Sequence, residues 1–104
     1  MGECGTSDIK ITQTVVKEVK GVFEYEVEIL NHCESCAVSN LVINCKEFQT
    51  IEPVDPLLCK ELGDSICLIN GGDIITPGIP FRFRYAWERP ASFTPRKLFT
   101  KCSP

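Results

Sequence analysis

The sequence predicts an all-β fold, a disulfide-stabilised antiparallel β-sandwich of about six to eight short strands. Three observations predict it. Phe23–Ile29 and Phe81–Trp87 each alternate apolar and charged or small residues with a period of two, the mark of a strand with one buried face. Proline and glycine punctuate the chain at close intervals, and no stretch has the apolar periodicity of a helix of ordinary length. Seven cysteines fall in 104 residues, a density typical of small domains cross-linked in an oxidising compartment.

The elements follow in order. Ile9–Lys20 reads as a first strand, in which Ile9 and Ile11 alternate with Lys10 and Thr12 until Val15–Val16 breaks the pattern as a bulge or bend. After Gly21, Phe23, Tyr25, Val27 and Ile29 face one way while Glu24, Glu26 and Glu28 face the other. Asn31–Ser35 is polar and reads as a turn. Ala37–Lys46 forms a third strand, with Leu41, Ile43 and Cys45 on one side and Val42, Asn44 and Lys46 on the other. Glu47–Pro56 is a connection containing Pro53 and Pro56, and Leu57–Leu62 is either one helical turn or a short strand. Ser65–Asn70 is a short strand, closed by a turn at Gly71–Gly72–Asp73. Pro77–Gly78–Ile79–Pro80 breaks the chain again, and Phe81, Phe83, Tyr85 and Trp87 then oppose Arg82, Arg84 and Ala86. Pro90 ends that strand, and Phe93–Cys102 returns as a last one, with Pro95 confining it to an edge or delaying its start.

The two clearest strands carry opposite charge on their outer faces. If they are neighbours, each opposite pair stabilises by about 0.2–1 kcal/mol. Burying one large apolar side chain is worth roughly 1.5–3 kcal/mol, so the core outweighs the ion pairs. The outer stripes of Glu24, Glu26, Glu28, Arg82 and Arg84 form a candidate protein-docking face. Tyr85, Trp87 and Arg89 extend it as an aromatic and arginine edge at an interface or a sugar-binding surface.

Length and charge bound the function. Residues 1–104 read as a single secreted cysteine-rich domain. Met1 and Gly2 precede Glu3 and Cys4 with no basic and apolar leader, and read as additions ahead of the mature sequence. A net charge of −3 gives no pull toward nucleic acid, and no apolar stretch is long enough for membrane insertion. Cys33–Glu34–Ser35–Cys36 has redox spacing, but strands flank it where a catalytic dithiol needs a helix N-terminus. A zinc site using Cys33, Cys36 and His32 lacks a second close cysteine pair. Asp55, Asp64 and Asp73 belong to no calcium loop, Gly71–Gly72 to no phosphate loop, and the single histidine narrows any triad. No enzyme, cofactor or metal is expected. An odd cysteine count leaves one thiol, either inert or linking two chains.

Several segments in fixed order resemble a known family. They are Cys4-x-x-x-Asp8-Ile9-x-Ile11, Tyr25–Ile29 leading to Asn31-x-Cys33, Cys45, Cys67-Leu68-x-Asn70-Gly71-Gly72, Pro77-Gly78, Phe83-x-Tyr85-Ala86 and Cys102. Together they resemble the plant tapetum determinant-like family of small secreted cysteine-rich proteins. The resemblance implies a framework of Cys4, Cys33, Cys36, Cys45, Cys67 and Cys102, with Cys59 as the free thiol and the protein either a monomer or a Cys59-linked dimer. It also implies an extracellular or apoplastic signalling ligand, recognised by a leucine-rich-repeat receptor kinase ectodomain. The close spacing of Cys33 and Cys36 marks a general relative rather than the anther ligand of that family. The alternative is a carbohydrate- or wall-binding module using exposed aromatic residues.

Overall fold

A computed structural model describes residues 4–102; Met1 and Gly2 lie outside the described residues. Seven strands form two antiparallel sheets. Sheet A has the order β1 (Ile9–Val19), β2 (Val22–Asn31), β6 (Phe81–Trp87). Sheet B has the order β4 (Cys59–Gly63), β5 (Ile66–Ile69), β3 (Cys36–Lys46), β7 (Ser92–Cys102). The architecture is the predicted sandwich, although β1, β3 and β7 run to 11 residues each and are not short.

Local chemistry explains the strand boundaries. Lys20 and Gly21 both take positive φ, 49° and 84°, as a two-residue type I′ turn requires, and Val19 pairs with Val22 across it. The β1–β2 register shifts between Val15 and Lys17, which is the bulge expected at Val15–Val16. Of Leu57–Leu62, Leu57 and Leu58 complete a turn and Cys59–Leu62 lies in β4, so the short-strand alternative holds for most of the segment. Pro95 sits in β7, an edge strand, where its missing N–H costs no ladder bond on the open side.

The core lies between the sheets. Val27, Ile29, Phe83 and Tyr85 of sheet A meet Val38, Leu41, Ile43, Cys67, Ile69 and Phe93 of sheet B. Tyr25 stacks on Tyr85 with centroids 5.3 Å apart, while Phe83 and Tyr85 meet Phe93 edge-on at 5.9 and 5.7 Å. This aromatic cluster joins the two layers, and such pairs add about 0.5–1.5 kcal/mol beyond area burial.

Four residues depart from the expected alternation. Phe23 is 44% exposed, at the hairpin end of sheet A. Glu24 is only 5% exposed on the face expected to be open. Ala86 is buried because residues after β3 cover it: Ile51 donates its N–H to the Ala86 carbonyl (2.8 Å), and Ala86 N–H donates to Thr50 Oγ1 (3.1 Å). Asn31 belongs to the end of β2 rather than a solvated turn. It is buried, donates from Nδ2 to the Ile75 carbonyl (2.9 Å) and accepts the Cys33 N–H at Oδ1 (2.8 Å). A buried amide is tolerated there because its bonds are made.

Candidate functional site

Antiparallel pairing of β2 with β6 sets Glu26 opposite Arg84 and Glu28 opposite Arg82. The outer stripes therefore meet as a ladder. Arg82 donates from Nη2 and Nε to Glu28 Oε2 at 2.9 and 3.1 Å. Arg84 donates to Glu26 from Nη2 at 3.1 Å and to Glu24 from Nη1 at 3.4 Å. The arginine side chains remain about half exposed, so each exposed pair contributes on the order of 1 kcal/mol or less.

Glu24 makes a second contact of a different kind. The Glu52 carboxyl is held above its ordinary range, first by a hydrogen bond with Glu24, then by desolvation and by repulsion from the Glu24 charge. Lys17 and Lys20 oppose the shift. The strap that covers Ala86 thus carries a carboxyl that shares hydrogen bonding with the buried end of the ladder.

At the end of β6, Trp87 lines an open cleft of about 290 Å³ together with Glu47, Gln49, Glu88, Arg89 and Pro90. One wall comes from the β6–β7 connection and the other from the segment after β3. Tyr85 does not line the cleft. It is fully buried, its hydroxyl donates to Gln13 Oε1 and accepts the Ala91 N–H at 2.9 Å, and Gln13 Nε2 donates to the Ala91 carbonyl at 2.7 Å. Burial pushes the Tyr85 phenol up to about 12 despite the Ala91 hydrogen bond, so it stays a neutral donor. Through Ala91, Tyr85 anchors the end of the connection that carries Glu88–Pro90. Among the sequence-derived contact residues, Trp87 and Arg89 converge here, Arg82, Arg84, Glu26 and Glu28 form the separate ladder, and Glu24 and Tyr85 are inside.

The cysteines pair as Cys4–Cys33, Cys36–Cys102 and Cys45–Cys67. Cys33 and Cys36 therefore bond to different partners, although the sulfurs of Cys4, Cys33 and Cys36 lie within 4.8 Å of one another. Cys59 is unpaired and 5% exposed. Burial, with the nearby Glu61 charge, pushes its thiol up to about 12. Such a thiol is protonated and shielded at neutral pH. A bridge from Cys59 to a second chain requires that pocket to open.

His32, the single histidine of the chain, follows the far end of β2, whereas Phe23 at the near end pairs with Trp87. Nine residues of strand place it roughly 30 Å from the cleft, out of reach as a general base there. The cleft's Glu47 and Gln49 had no sequence signal, because they enter it from a connection without periodicity.

The family model for "Tapetum determinant 1, C-terminal" matches residues 5–103. Among curated proteins, TPD1 protein homolog 1B of Oryza sativa subsp. japonica is 32% identical over 84 residues, covering 80% of this chain and 50% of that protein. TPD1 protein homolog 1 of Arabidopsis thaliana is 33% identical over 86 residues, covering 81% and 48%. TPD1 protein homolog 1A of Oryza sativa subsp. japonica is 32% identical over 92 residues, covering 81% and 41%. The chain thus spans about half the length, or less, of these relatives. No solved structure matches the chain.

Proposed function

The chain belongs to the tapetum determinant 1 family, and from that membership we propose that it is a secreted, non-enzymatic signalling ligand recognised by the ectodomain of a leucine-rich-repeat receptor kinase. The observation that carries this reading is a bridged, two-sheet body whose extended strand faces present most of its cations outward. A pre-shaped surface loses little conformational entropy on docking, so more of the contact energy remains as affinity. Three disulfides are in keeping with an extracellular setting. No helix among the described residues is long and apolar enough to cross a membrane. The test is binding of the oxidised chain to leucine-rich-repeat receptor kinase ectodomains. Saturable binding to at least one is the expected result, and silence across a complete panel counts against the reading.

The cleft supports a second reading, a glycan-binding module. A partly exposed Trp87 ring beside Glu47, Gln49, Glu88 and Arg89 offers a stacking face with hydrogen-bonding groups around it. Trp87 is the single tryptophan of the chain, so its fluorescence reports directly on this site. A saturable shift with one class of wall oligosaccharide supports glycan binding, and an unchanged spectrum across diverse oligosaccharides removes it.

A further inference from the structure

The charge of the molecule is unevenly divided between the two sheets. In sheet A, Lys10, Lys17, Arg82 and Arg84 are matched by Glu18, Glu24, Glu26 and Glu28. Every ion pair among the described residues lies in that sheet. In sheet B, β3, β5 and β7 contain no acidic residue at all, and Glu61 of β4 is opposite the inward-facing Cys67. The cations of sheet B are Lys46, Lys60, Arg96, Lys97 and Lys101, all exposed. Pairing puts them on one side. Lys46 is opposite Ser92, Lys97 opposite Val42, Lys101 opposite Ala37 and Lys60 opposite Leu68, while the intervening Val38, Ile43, Cys45 and Ile69 point into the core. Arg96 shares the face, donating to Asn44 Oδ1 at 3.2 Å, and Asn44 in turn donates to Thr94. That neutral amide orients the guanidinium without cancelling its charge. The middle of the face is apolar, with a half-buried Leu68 over the buried Val42 (5% exposed), and Phe99 stands beside them 63% exposed.

We propose that this outward face of sheet B is a docking surface for an acidic protein partner, a proposal that rests on the ligand reading above. An apolar centre with a charged rim is the anatomy of a protein interface, whereas a linear polyanion needs a continuous cationic track. Complementarity points the same way, since in a chain of net charge −3 five cations without an ion pair among the described residues gather on this one face, whereas Lys10, Lys17, Lys20 and Arg89 lie apart from it. From strand spacing and rise the face measures roughly 30 by 15 Å, the size class of a transient signalling contact.

The test compares Lys97→Glu/Lys101→Glu with Arg82→Glu/Arg84→Glu in surface plasmon resonance against leucine-rich-repeat receptor kinase ectodomains, at low and physiological salt. Salt-sensitive binding that the sheet B variant weakens about tenfold or more, and the sheet A variant by less than about threefold, is the expected result. Binding that the sheet B variant leaves unchanged overturns this surface and leaves the ligand reading standing. If no ectodomain binds, the ligand reading fails, and the face is judged alone by titrating nitrogen-labelled chain with a polyglutamate peptide. Amide shifts confined to β3, β4, β5 and β7 uphold an acidic-partner surface, and shifts elsewhere or none overturn it. Tight binding of polygalacturonate lost in the sheet B variant overturns it in favour of an acidic polysaccharide. A concentration-dependent dimer lost in that variant overturns it in favour of self-association. Lys46→Glu/Lys60→Glu serves as the second variant if the first fails to fold.

Discussion

Sheet B joins β3 to β7 through Cys36–Cys102 and β3 to β5 through Cys45–Cys67, whereas no disulfide joins two strands of sheet A. Cys4–Cys33 ties the segment before β1 to the crossover after β2. Sheet A instead relies on native-state contacts: the ion ladder on its outer face, the aromatic cluster within, and the Tyr85–Gln13–Ala91 clamp. The difference teaches where stability acts. The bridges of sheet B restrict the unfolded chain and leave its surface charges unengaged, while sheet A uses its charges on one another.

The largest effect expected from breaking this comparison comes from the longest covalent loop. Cys36→Ser/Cys102→Ser opens a separation of 66 residues and costs up to about 4 kcal/mol in urea denaturation by the chain-entropy relation. Tyr85→Phe, which removes only a hydroxyl from sheet A, costs about 1–3 kcal/mol because the Ala91 N–H is left buried without an acceptor. It also shifts Trp87 emission by loosening the adjoining turn. Arg82→Ala costs less, about 0.2–1 kcal/mol, and the loss fades at high salt. Arg84→Ala exceeds Arg82→Ala in the same measurement, since it strips the buried Glu24 of its cation.

The smallest expected effect is one of pH. The folded state raises the Glu52 carboxyl above its ordinary range, so its proton-linked stabilisation is complete below the unfolded value and is lost as pH rises through the folded one. The protection factors of the Ile51 and Ala86 amides, which report the strap once the intrinsic base-catalysed pH dependence of exchange is divided out, are higher on the acid side of that window. Glu52→Gln removes the dependence. A pH-independent wild-type strap contradicts the shared hydrogen bonding with Glu24.

Much of this fold is written in periodicity. The alternation at Tyr25–Ile29 and Phe83–Tyr85, the bulge at Val15–Val16 and the edge position of Pro95 all follow from local pattern. The exceptions arise where a distant segment decides exposure. Glu24 and Ala86 are covered by residues near position 51, Asn31 is enclosed by the loop carrying Ile75, and Phe23 emerges at the hairpin end of sheet A. The cationic face was invisible for the same reason. Residues 46, 60, 96, 97 and 101 form no continuous charge run and become neighbours only through the strand order β4-β5-β3-β7. The cleft likewise needs two connections brought together by tertiary packing.

The pairing of sulfurs bears most directly on this division between a bridged and an unbridged sheet. Peptide mapping of natively matured, non-reduced protein, alkylated before and after unfolding, should yield Cys4–Cys33, Cys36–Cys102 and Cys45–Cys67, with Cys59 alkylated only once the chain unfolds. A Cys33–Cys36 linkage, or a bridge between two strands of sheet A, contradicts the account.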